Sequence, residues 1–316
     1  MMVNIIILIF SFFGITLLID IFSHLIKKNP RVNPYTPIRS ISVIIPVHYE
    51  SMIYLKHTID SICKDKYPLK SVIICGIVDE STRRYILQLI KENKKIHYIL
   101  PPFNSKAKKI NYVVNRFDHL LGDFIYIRDC GSVSRKDCIE KIISYFNEES
   151  VGAVTTYGRV SIPRNFLSRS YYYGKAWINE LGRFRKNAQE KRKALYVICG
   201  ASTMYRKRIL HQIPIPTTTK TEDTYHTWLL QKNGYTIRVA DLVVISANEI
   251  DGRNFSAIKK QIKQSYRWSS GNLQCLFREG NDIFKNKKLA YTTILPGLIE
   301  SLTYSLPFAF LPLLFF

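Results

Sequence analysis

The chain has 316 residues, with 46 Lys and Arg against 24 Asp and Glu and a net charge of +22. All of the basic residues lie between Lys27 and Lys288, so the charge belongs to the middle of the chain. The six cysteines form no C-x-x-C pair and no His-spaced cluster, so neither a disulfide framework nor a zinc site is indicated. The basic surface predicts an anionic partner, such as lipid headgroups, sugar diphosphates or nucleic acid.

The two ends of the chain predict membrane segments. Val3 to Ile19 form an almost unbroken apolar run, which approaches the roughly 20 residues that a helix needs to cross a bilayer. Residues 1–26 are therefore expected to form a transmembrane helix. No basic region precedes the run and no small-x-small site follows it, which disfavours a cleaved signal peptide. Residues 289–316 are also apolar and contain three prolines, which predicts a kinked or broken C-terminal transmembrane segment.

Basic residues follow the first apolar segment and precede the last one. Because Lys and Arg are enriched on the cytoplasmic side of membrane proteins, the middle of the chain is predicted to be cytoplasmic. The sequence thus predicts an integral membrane protein with a cytoplasmic domain.

That middle region alternates short apolar strands with helices. Strands are predicted at Ile41–Pro46, Ser71–Val78, Ile96–Leu100, Asp123–Arg128 and Val151–Thr155. Helices are predicted at Tyr54–Lys64, Arg83–Glu92, Asp137–Phe146 and within the aromatic and basic stretch Phe166–Arg192. The alternation predicts an α/β fold with a mostly parallel sheet and helices on both faces. Ligands of such sheets bind beyond the carboxyl ends of the strands, where Asp79 and Asp129 stand.

Several polar motifs accompany these elements. They are Ser42-Val-Ile-Ile-Pro-Val-His-Tyr-Glu50, Lys106-Ala-Lys-Lys-Ile-Asn111, Asp129-Cys-Gly131, the small-residue stretch Val197–Arg206, Thr221-Glu-Asp223 and Gln264-Ser-Tyr-Arg-Trp268. The last of these is a Q-x-x-R-W match and the most specific. Asp79 and Thr221 are also typical helix caps, a role compatible with function.

Together the motifs resemble those of processive-type family 2 glycosyltransferases, the group that includes cellulose, chitin and hyaluronan synthases and ceramide glucosyltransferase. The resemblance runs from about Ser40 to Phe277. It implies a GT-A, Rossmann-like catalytic domain over residues 38–250, flanked by the transmembrane helices. It also implies an amphipathic interfacial helix over residues 251–285. The implied reaction is inverting transfer of a sugar from a nucleotide sugar, a UDP-sugar, to a polysaccharide or lipid hydroxyl.

The resemblance gives the acidic and basic motifs their expected roles. Asp223 is the expected general base, with Glu222 beside it, because inverting transfer needs a carboxylate that takes the proton of the acceptor hydroxyl. Asp79 and Lys106 are expected to bind the nucleotide. Asp129 is expected to bind the donor diphosphate through a divalent metal, Mg²⁺ or Mn²⁺.

The remaining motifs are expected on the diphosphate and acceptor sides. Gln264, Arg267 and Trp268 share one face of a helix and are expected to bind the nucleotide sugar. The opposite face is an apolar stripe, predicted to pack, formed by Ile258, Ile262, Tyr266, Leu273, Leu276 and Phe277. The resemblance implies that Val197–Arg206 is an acceptor-side loop, and the acceptor is expected to contact Gly200, Ala201, Ser202 and Trp268.

Gly131 departs from the family pattern, which has a second carboxylate at this position. Since hard cations prefer carboxylate oxygens, metal binding by Asp129 alone is expected to be weakened. An alternative interpretation is a catalytically weakened or inactive basic membrane-surface protein of the same fold, binding anionic lipid or nucleic acid. Under the main interpretation the partners are the nucleotide sugar, a carbohydrate or lipid acceptor and membrane lipids, without nucleic acid. Association into a homo-oligomer, the choice of sugar, and processive versus single transfer stay open.

Overall fold

The structure is a computed structural model that describes residues 39–160, 182–246 and 255–285, together with isolated positions at 11, 15, 18, 22 and 290. The predicted membrane segments, 1–26 and 289–316, lie outside the described residues apart from those positions, and so does most of the stretch Phe166–Arg192. In the part of the chain that is described, no helix has the length and apolar character needed to cross a membrane.

One sheet organises the described residues. Its strands are β1 (Ile41–His48), β2 (Ser71–Ile77), β3 (Ile96–Ile99), β4 (Phe124–Arg128), β5 (Ser132–Val133), β6 (Val151–Val160), β7 (Ser202–Arg206) and β8 (Thr236–Ser246). They lie in the order β3-β2-β1-β4-β7-β6-β8-β5. Strands β7 and β5 run against the other six. The predicted α/β fold with a mostly parallel sheet is confirmed, and these two strands make the sheet mixed.

Helices cover both faces of the sheet. They are α1 (Met52–Cys63), α2 (Glu80–Glu92), α3 (Lys106–Arg116), α4 (Cys138–Ile143), α5 (Lys207–Gln212), α6 (Glu222–Lys232) and α7 (Phe255–Lys285), with a further helical stretch at 182–191. One core cluster joins the sheet to α1, α2 and α4, and a second joins it to α3, α5 and α6. The prediction of helices on both faces is therefore confirmed.

Strand β1 shows why the sequence folds this way. Val43 and Ile45 face the first core cluster and Ile44 faces the second, and all three are fully buried. A strand with both faces buried has a continuous apolar sequence rather than an alternating one. In the ladder, His48 pairs with Ile77 and Ile44 pairs with Ile127, so β1, β2 and β4 end at the same edge of the sheet.

Strand β7 corrects one expectation. The stretch Val197–Arg206 was expected to be an acceptor-side loop, but its second half is a buried strand between β4 and β6. Because β7 is antiparallel to β4, Ser202 pairs with Arg128 and the residues just before β7 lie beside the end of β4. Only the first half of the stretch is available as a loop.

Candidate active site

A lysine and two loop segments meet at the carboxyl end of β4. Asp129 follows that strand, and its N–H donates to the carbonyl of Ala201 at 3.1 Å. Lys106 is the first residue of α3, and its ammonium lies 2.5 Å from Asp129 Oδ1 and donates to the carbonyl of Gly200 at 2.7 Å. One ammonium thus holds together the residue after β4 and the loop before β7.

Asp223 joins the same group from the first turn of α6. A Cβ on Gly200 would lie 3.1 Å from Asp223 Oδ2 and 3.6 Å from Lys106 Nζ. Contacts as short as 3.1 Å are closer than the usual carbon contact of about 3.5–4.0 Å. The absence of a side chain on Gly200 therefore leaves space next to both charged groups. Lys106, Asp129, Gly200, Glu222 and Asp223 are brought together, and we call this set the charged cluster.

The Lys106 ammonium lies among the three carboxylates of the cluster. Burial alone would lower the pKa of the Lys106 ammonium, but Asp129, Glu222 and Asp223 together hold that pKa above its ordinary value. Lys106 is therefore protonated at neutral pH and supplies a fixed positive charge among carboxylates.

Asp223 has a pKa suited to proton transfer. Desolvation, reinforced by the neighbouring charge of Glu222, raises the pKa of Asp223 from 3.8 to about 6, while Lys106, the N–H of Thr224 and Lys186 oppose the rise. A base is most effective when its pKa lies near the working pH. The carboxylate is thus ionised at neutral pH and more basic than a surface aspartate.

Lys186 is a cluster neighbour that the sequence did not reveal. It lies in the helical stretch 182–191, where desolvation lowers the pKa of its ammonium and Cys199 and Asp223 oppose that effect. In the sequence it is one of many basic residues in an aromatic and basic stretch, and no motif distinguishes it.

A small cavity of about 20 Å³ lies below the cluster, with Lys106, Glu222, Asp223 and His226 among its lining residues. This is enough space for about one water molecule. Burial lowers the pKa of His226 to about 4, so its ring is neutral, and Nε2 donates to the carbonyl of Ile213. Among the residues that the structure describes, none donates a hydrogen bond to the buried Nδ1.

Asp79 stands at the neighbouring strand end and caps α2. Its Oδ1 accepts from the N–H of Thr82 at 2.7 Å and from the hydroxyl of Ser81 at 2.6 Å. These two bonds lower the pKa of the Asp79 carboxyl, first through Ser81 and then through Thr82. The capping role is therefore present, and the side chain remains exposed at the edge where a nucleotide is expected.

The loop after β1 is tightly held beside Asp79. Tyr49 adopts a φ of 58° and donates its N–H to the carbonyl of Ile77 at 2.9 Å. The buried ammonium of Lys109 donates to the carbonyl of Val47 at 2.6 Å. A non-glycine residue at positive φ is uncommon and is found where the surrounding structure enforces it, often at functional sites.

The residues that are expected to contact the acceptor differ in how exposed they are. Gly200 and Ala201 are partly accessible in the loop before β7. Ser202 is fully buried, and its hydroxyl is bonded to the hydroxyl of Tyr126 at 2.7 Å. This hydroxyl serves the interior of the sheet, which departs from the expectation that Ser202 contacts an acceptor.

Helix α7 carries Gln264, Arg267 and Trp268 and packs on α6. Arg267 and Trp268 are exposed, and Gln264 is half-buried. The packed side of α7 contributes Cys275, Leu273 and Leu276 to a cluster with Tyr196, Tyr225 and Trp228. The predicted apolar stripe is therefore correct for Leu273 and Leu276. It is wrong for Tyr266 and Phe277, which are 69% and 85% exposed.

Asp129 is the carboxylate that stands where a divalent metal is expected. The Asp129 side chain is 40% exposed, so an ion that keeps waters and binds substrate phosphates is able to reach it. Gly131 has a φ of 86° and donates its N–H to Thr58 Oγ1, and it offers no side-chain ligand. Within the described ranges, no three His, Cys, Asp or Glu residues are grouped so as to hold a metal by themselves. The described residues thus offer an ion at this position one carboxylate, Asp129, which is also paired with Lys106.

Comparison with known protein families matches residues 42–213, more than half of the chain, to the family described as "Glycosyl transferase family 2". The chain belongs to glycosyl transferase family 2. This membership confirms the family resemblance of the sequence and identifies the chain as a glycosyltransferase. The matched residues include Asp79, Lys106, Asp129 and Gly200 and end before Asp223.

Two sets of proteins are similar to this glycosyltransferase. A curated relative, poly-beta-1,6-N-acetyl-D-glucosamine synthase of Staphylococcus epidermidis, is 24% identical over 272 residues, covering 84% of this chain and 63% of the relative. The chain therefore spans less than two thirds of that relative's length. A mannosyltransferase from Pyrobaculum calidifontis, solved with GDP-Man and Mn²⁺, has a TM-score of 0.67 at 17% identity, covering 85% of this chain and 74% of its own. GalNAc-T7, solved with UDP, GalNAc and Mn²⁺, has a TM-score of 0.51 at 9% identity, and the match covers 72% of this chain and 49% of GalNAc-T7. These structures establish the GT-A-like fold.

Proposed function

We propose that this glycosyltransferase transfers a sugar, with inversion, from a UDP-sugar to a hydroxyl of a polysaccharide or lipid acceptor. The observation that carries the proposal is the position of Asp223, a partly buried carboxylate with a pKa raised to about 6, beside the Lys106–Asp129 pair. A base and a fixed positive charge next to each other are what a displacement at an anomeric carbon requires.

In the proposed reaction the carboxylate of Asp223 accepts the proton of the acceptor hydroxyl. The acceptor oxygen forms a bond to the anomeric carbon from the side opposite the diphosphate. The bond between that carbon and the diphosphate oxygen breaks, and the nucleoside diphosphate leaves with the electron pair. Lys106, and Arg267 from α7, offset the charge that grows on the diphosphate, because cationic groups held in place stabilise such charge without reorganisation.

The donor is proposed to lie along the shared edge of β1, β2 and β4. Asp79 is assigned to the nucleoside, Lys106 to the diphosphate, and Gln264, Arg267 and Trp268 to the entrance. Asp129 would hold Mg²⁺ or Mn²⁺, which would neutralise part of the diphosphate charge. The structurally similar mannosyltransferase was solved with Mn²⁺, which supports this assignment.

Membrane attachment is part of the proposal. Residues 1–26 and 289–316 are assigned as membrane segments, residues 38–250 as the cytoplasmic catalytic domain, and residues 251–285 as an interfacial helix with the Q-x-x-R-W motif. The strongly basic middle region supports contact with anionic headgroups. Gly200, Ala201 and Trp268 are assigned to the acceptor.

A transfer assay with purified, detergent-solubilised protein tests this function. The protein is incubated with Mn²⁺, membranes as acceptor source and a panel of radiolabelled nucleotide sugars. UDP-N-acetylglucosamine is the first donor in the panel, because the similar staphylococcal protein is named as a synthase of an N-acetylglucosamine polymer. Asp223→Asn serves as the control for base catalysis. Label transferred by the wild type and not by the control supports the function. If no donor is consumed and the protein binds anionic vesicles alone, the alternative of an inactive surface protein is correct.

A further inference from the structure

Gly271 marks the point where α7 comes closest to the Thr-Glu-Asp motif. A Cβ on Gly271 would lie 2.7 Å from both Thr221 Cγ2 and Thr221 Oγ1 and 2.9 Å from the backbone nitrogen of Thr221. Both residues are buried. Thr221 directly precedes Glu222 and Asp223, so the backbone of α7 rests against the start of the helix that carries the base.

The spacing along α7 connects this contact to the Q-x-x-R-W motif. Gly271 follows Arg267 by four residues and Trp268 by three, and residues at these separations are neighbours on a helix surface. Any displacement of α7 at Gly271 therefore moves Arg267 and Trp268 relative to Asp223.

Other bonds hold α7 at this place but tolerate small shifts. The N–H of Lys220 donates to Gln274 Oε1 at 3.2 Å, and Lys232 forms an ion pair with Asp282 at 2.8 Å. Long side chains adjust their rotamers, whereas the Gly271 contact includes backbone and a β-branched side chain that cannot yield. Carbon pairs are at their optimum at about 3.5–4.0 Å, so a methyl group at position 271 would push the helix away by about 0.8 Å.

We infer that Gly271 is a positioning residue, whose missing side chain sets the distance between the Q-x-x-R-W helix and the catalytic Asp223. The inference rests on the proposed function for its catalytic consequence. Its structural part, that the Gly271–Thr221 contact seats α7, stands without it.

Gly271→Ala is the direct perturbation, and Gly182→Ala is its matched control. A Cβ on Gly182 would meet no atom of the described residues within 4 Å, and Gly182 is also helical. Alanine favours helices over glycine at both positions, so helix propensity cannot explain a loss that is seen only at 271. Thr221→Ala removes the two side-chain atoms that the new methyl would meet and leaves the backbone nitrogen of Thr221 in place. The Thr221 hydroxyl makes no capping bond in α6, but it lies 3.6 Å from Cys275 Sγ, so Thr221→Ala alone is the reference for the double variant.

The seating of α7 is measured first, by thiol labelling. Cys275 is fully buried on the packed side of α7, and Cys63 is exposed elsewhere in the chain. The labelling rate of Cys275 relative to Cys63, read by mass spectrometry, is expected to rise several-fold in Gly271→Ala and to stay at the wild-type value in Gly182→Ala. The rise in Cys275 labelling on adding Gly271→Ala to Thr221→Ala is expected to be smaller than the rise on adding it to the wild type, because two of the three close contacts are gone.

Turnover is measured next, with the donor found for the wild type. Misplacement of reacting groups by about 1 Å reduces rates by up to about 10²-fold, so Gly271→Ala is expected to lower kcat by about 10- to 100-fold. The KM for the donor should rise by a smaller factor than kcat falls, because Asp79 and Lys106 also hold the donor and Arg267 is assigned to the charge that grows on the leaving diphosphate in the transition state. In the Thr221→Ala background the same Gly271→Ala change should cost at least about tenfold less, which is the coupling that a double-mutant cycle isolates.

Several outcomes would overturn the inference. These are unchanged Cys275 labelling in Gly271→Ala, increased labelling with unchanged kcat, or an equal loss of kcat in the presence and absence of Thr221→Ala. If Gly271→Ala fails to fold, the variant that combines it with Thr221→Ala decides. A combined variant that is also without activity overturns the inference. If the wild type itself transfers no sugar, the proposed function fails, and the labelling result still decides whether this contact seats the helix.

Discussion

Replacing Asp223 by asparagine is expected to affect catalysis and stability in opposite directions. Asparagine keeps the shape and the ability to accept a hydrogen bond from the N–H of Thr224, which lies 2.9 Å from Asp223 Oδ1. It cannot accept a proton from an acceptor hydroxyl. General-base catalysis typically contributes about 10²–10⁴-fold, so kcat should fall by that factor while donor binding stays nearly unchanged.

The same substitution is expected to stabilise the fold at neutral pH. Because the folded-state pKa of about 6 lies above the ordinary value of 3.8, the folded protein loses stability as the pH rises from about 3.8 to about 6, and the full loss is present above about 6. A difference of about two between folded and unfolded pKa corresponds to about 3 kcal/mol, which is the upper limit for the gain in Asp223→Asn at pH 7. About half of that gain is expected at pH 5, and none below pH 3.8, where wild-type Asp223 is protonated in both states.

Thermal unfolding of both proteins between pH 5 and pH 8, together with the transfer assay, measures the two effects. The value of kcat/KM for the wild type should decline as the pH falls below about 6, because protonated Asp223 is no base. A variant that is less stable than the wild type at pH 7 would refute the assignment of a desolvated carboxylate. A variant that retains more than about a tenth of the turnover would refute the role of Asp223 as base, and Glu222 would be the next candidate.

Further substitutions test the neighbouring assignments. Asp79→Ala should lower the melting temperature and weaken UDP binding, whereas Asp79→Ser should keep the cap and lose only UDP binding. Equal UDP affinity of the two variants and the wild type would remove Asp79 from the site. Gly131→Ala should lower the unfolding free energy by about 1–2 kcal/mol, because φ is 86° there, and an unchanged melting temperature would contradict that backbone conformation. Arg267→Lys should recover only part of the turnover that Arg267→Ala loses, because Lys lacks the planar fork that fits a diphosphate, and full recovery would show that charge alone matters.

The strands at the carboxyl edge were predictable because their sequences are continuous apolar runs. Strands β1, β2 and β4 are buried on both faces, which leaves a signal that is readable without a structure. Strand β7 gave no such signal. Its residues Ser202 and Thr203 are polar, and their buried hydroxyls have partners inside the sheet. Ser202 bonds to the hydroxyl of Tyr126, and Thr203 donates to the hydroxyl of Thr155. A strand whose buried hydroxyls are paired across the sheet looks like a loop in a single sequence.

The site was predictable where a motif stands at a strand or helix end. Asp129 and Lys106 follow from motif positions, and their ion pair brings them together. Lys186 and Gly271 were missed for a different reason. Their importance depends on distances to Asp223 and Thr221, which lie 37 and 50 residues away along the chain and are set only by the packing of separate helices.

The reversed strand in the middle of the sheet has a consequence for how this enzyme tolerates changes of length. Five residue pairs fix β7 against β4, and the first residue of β7 is the one opposite Arg128. The N–H of Asp129 also donates to the carbonyl of Ala201, the residue just before β7. A residue inserted within β7 would disturb this register and shift Gly200 and Ala201 relative to Asp129. A change of length is therefore expected to be tolerated least where Ala201 enters β7.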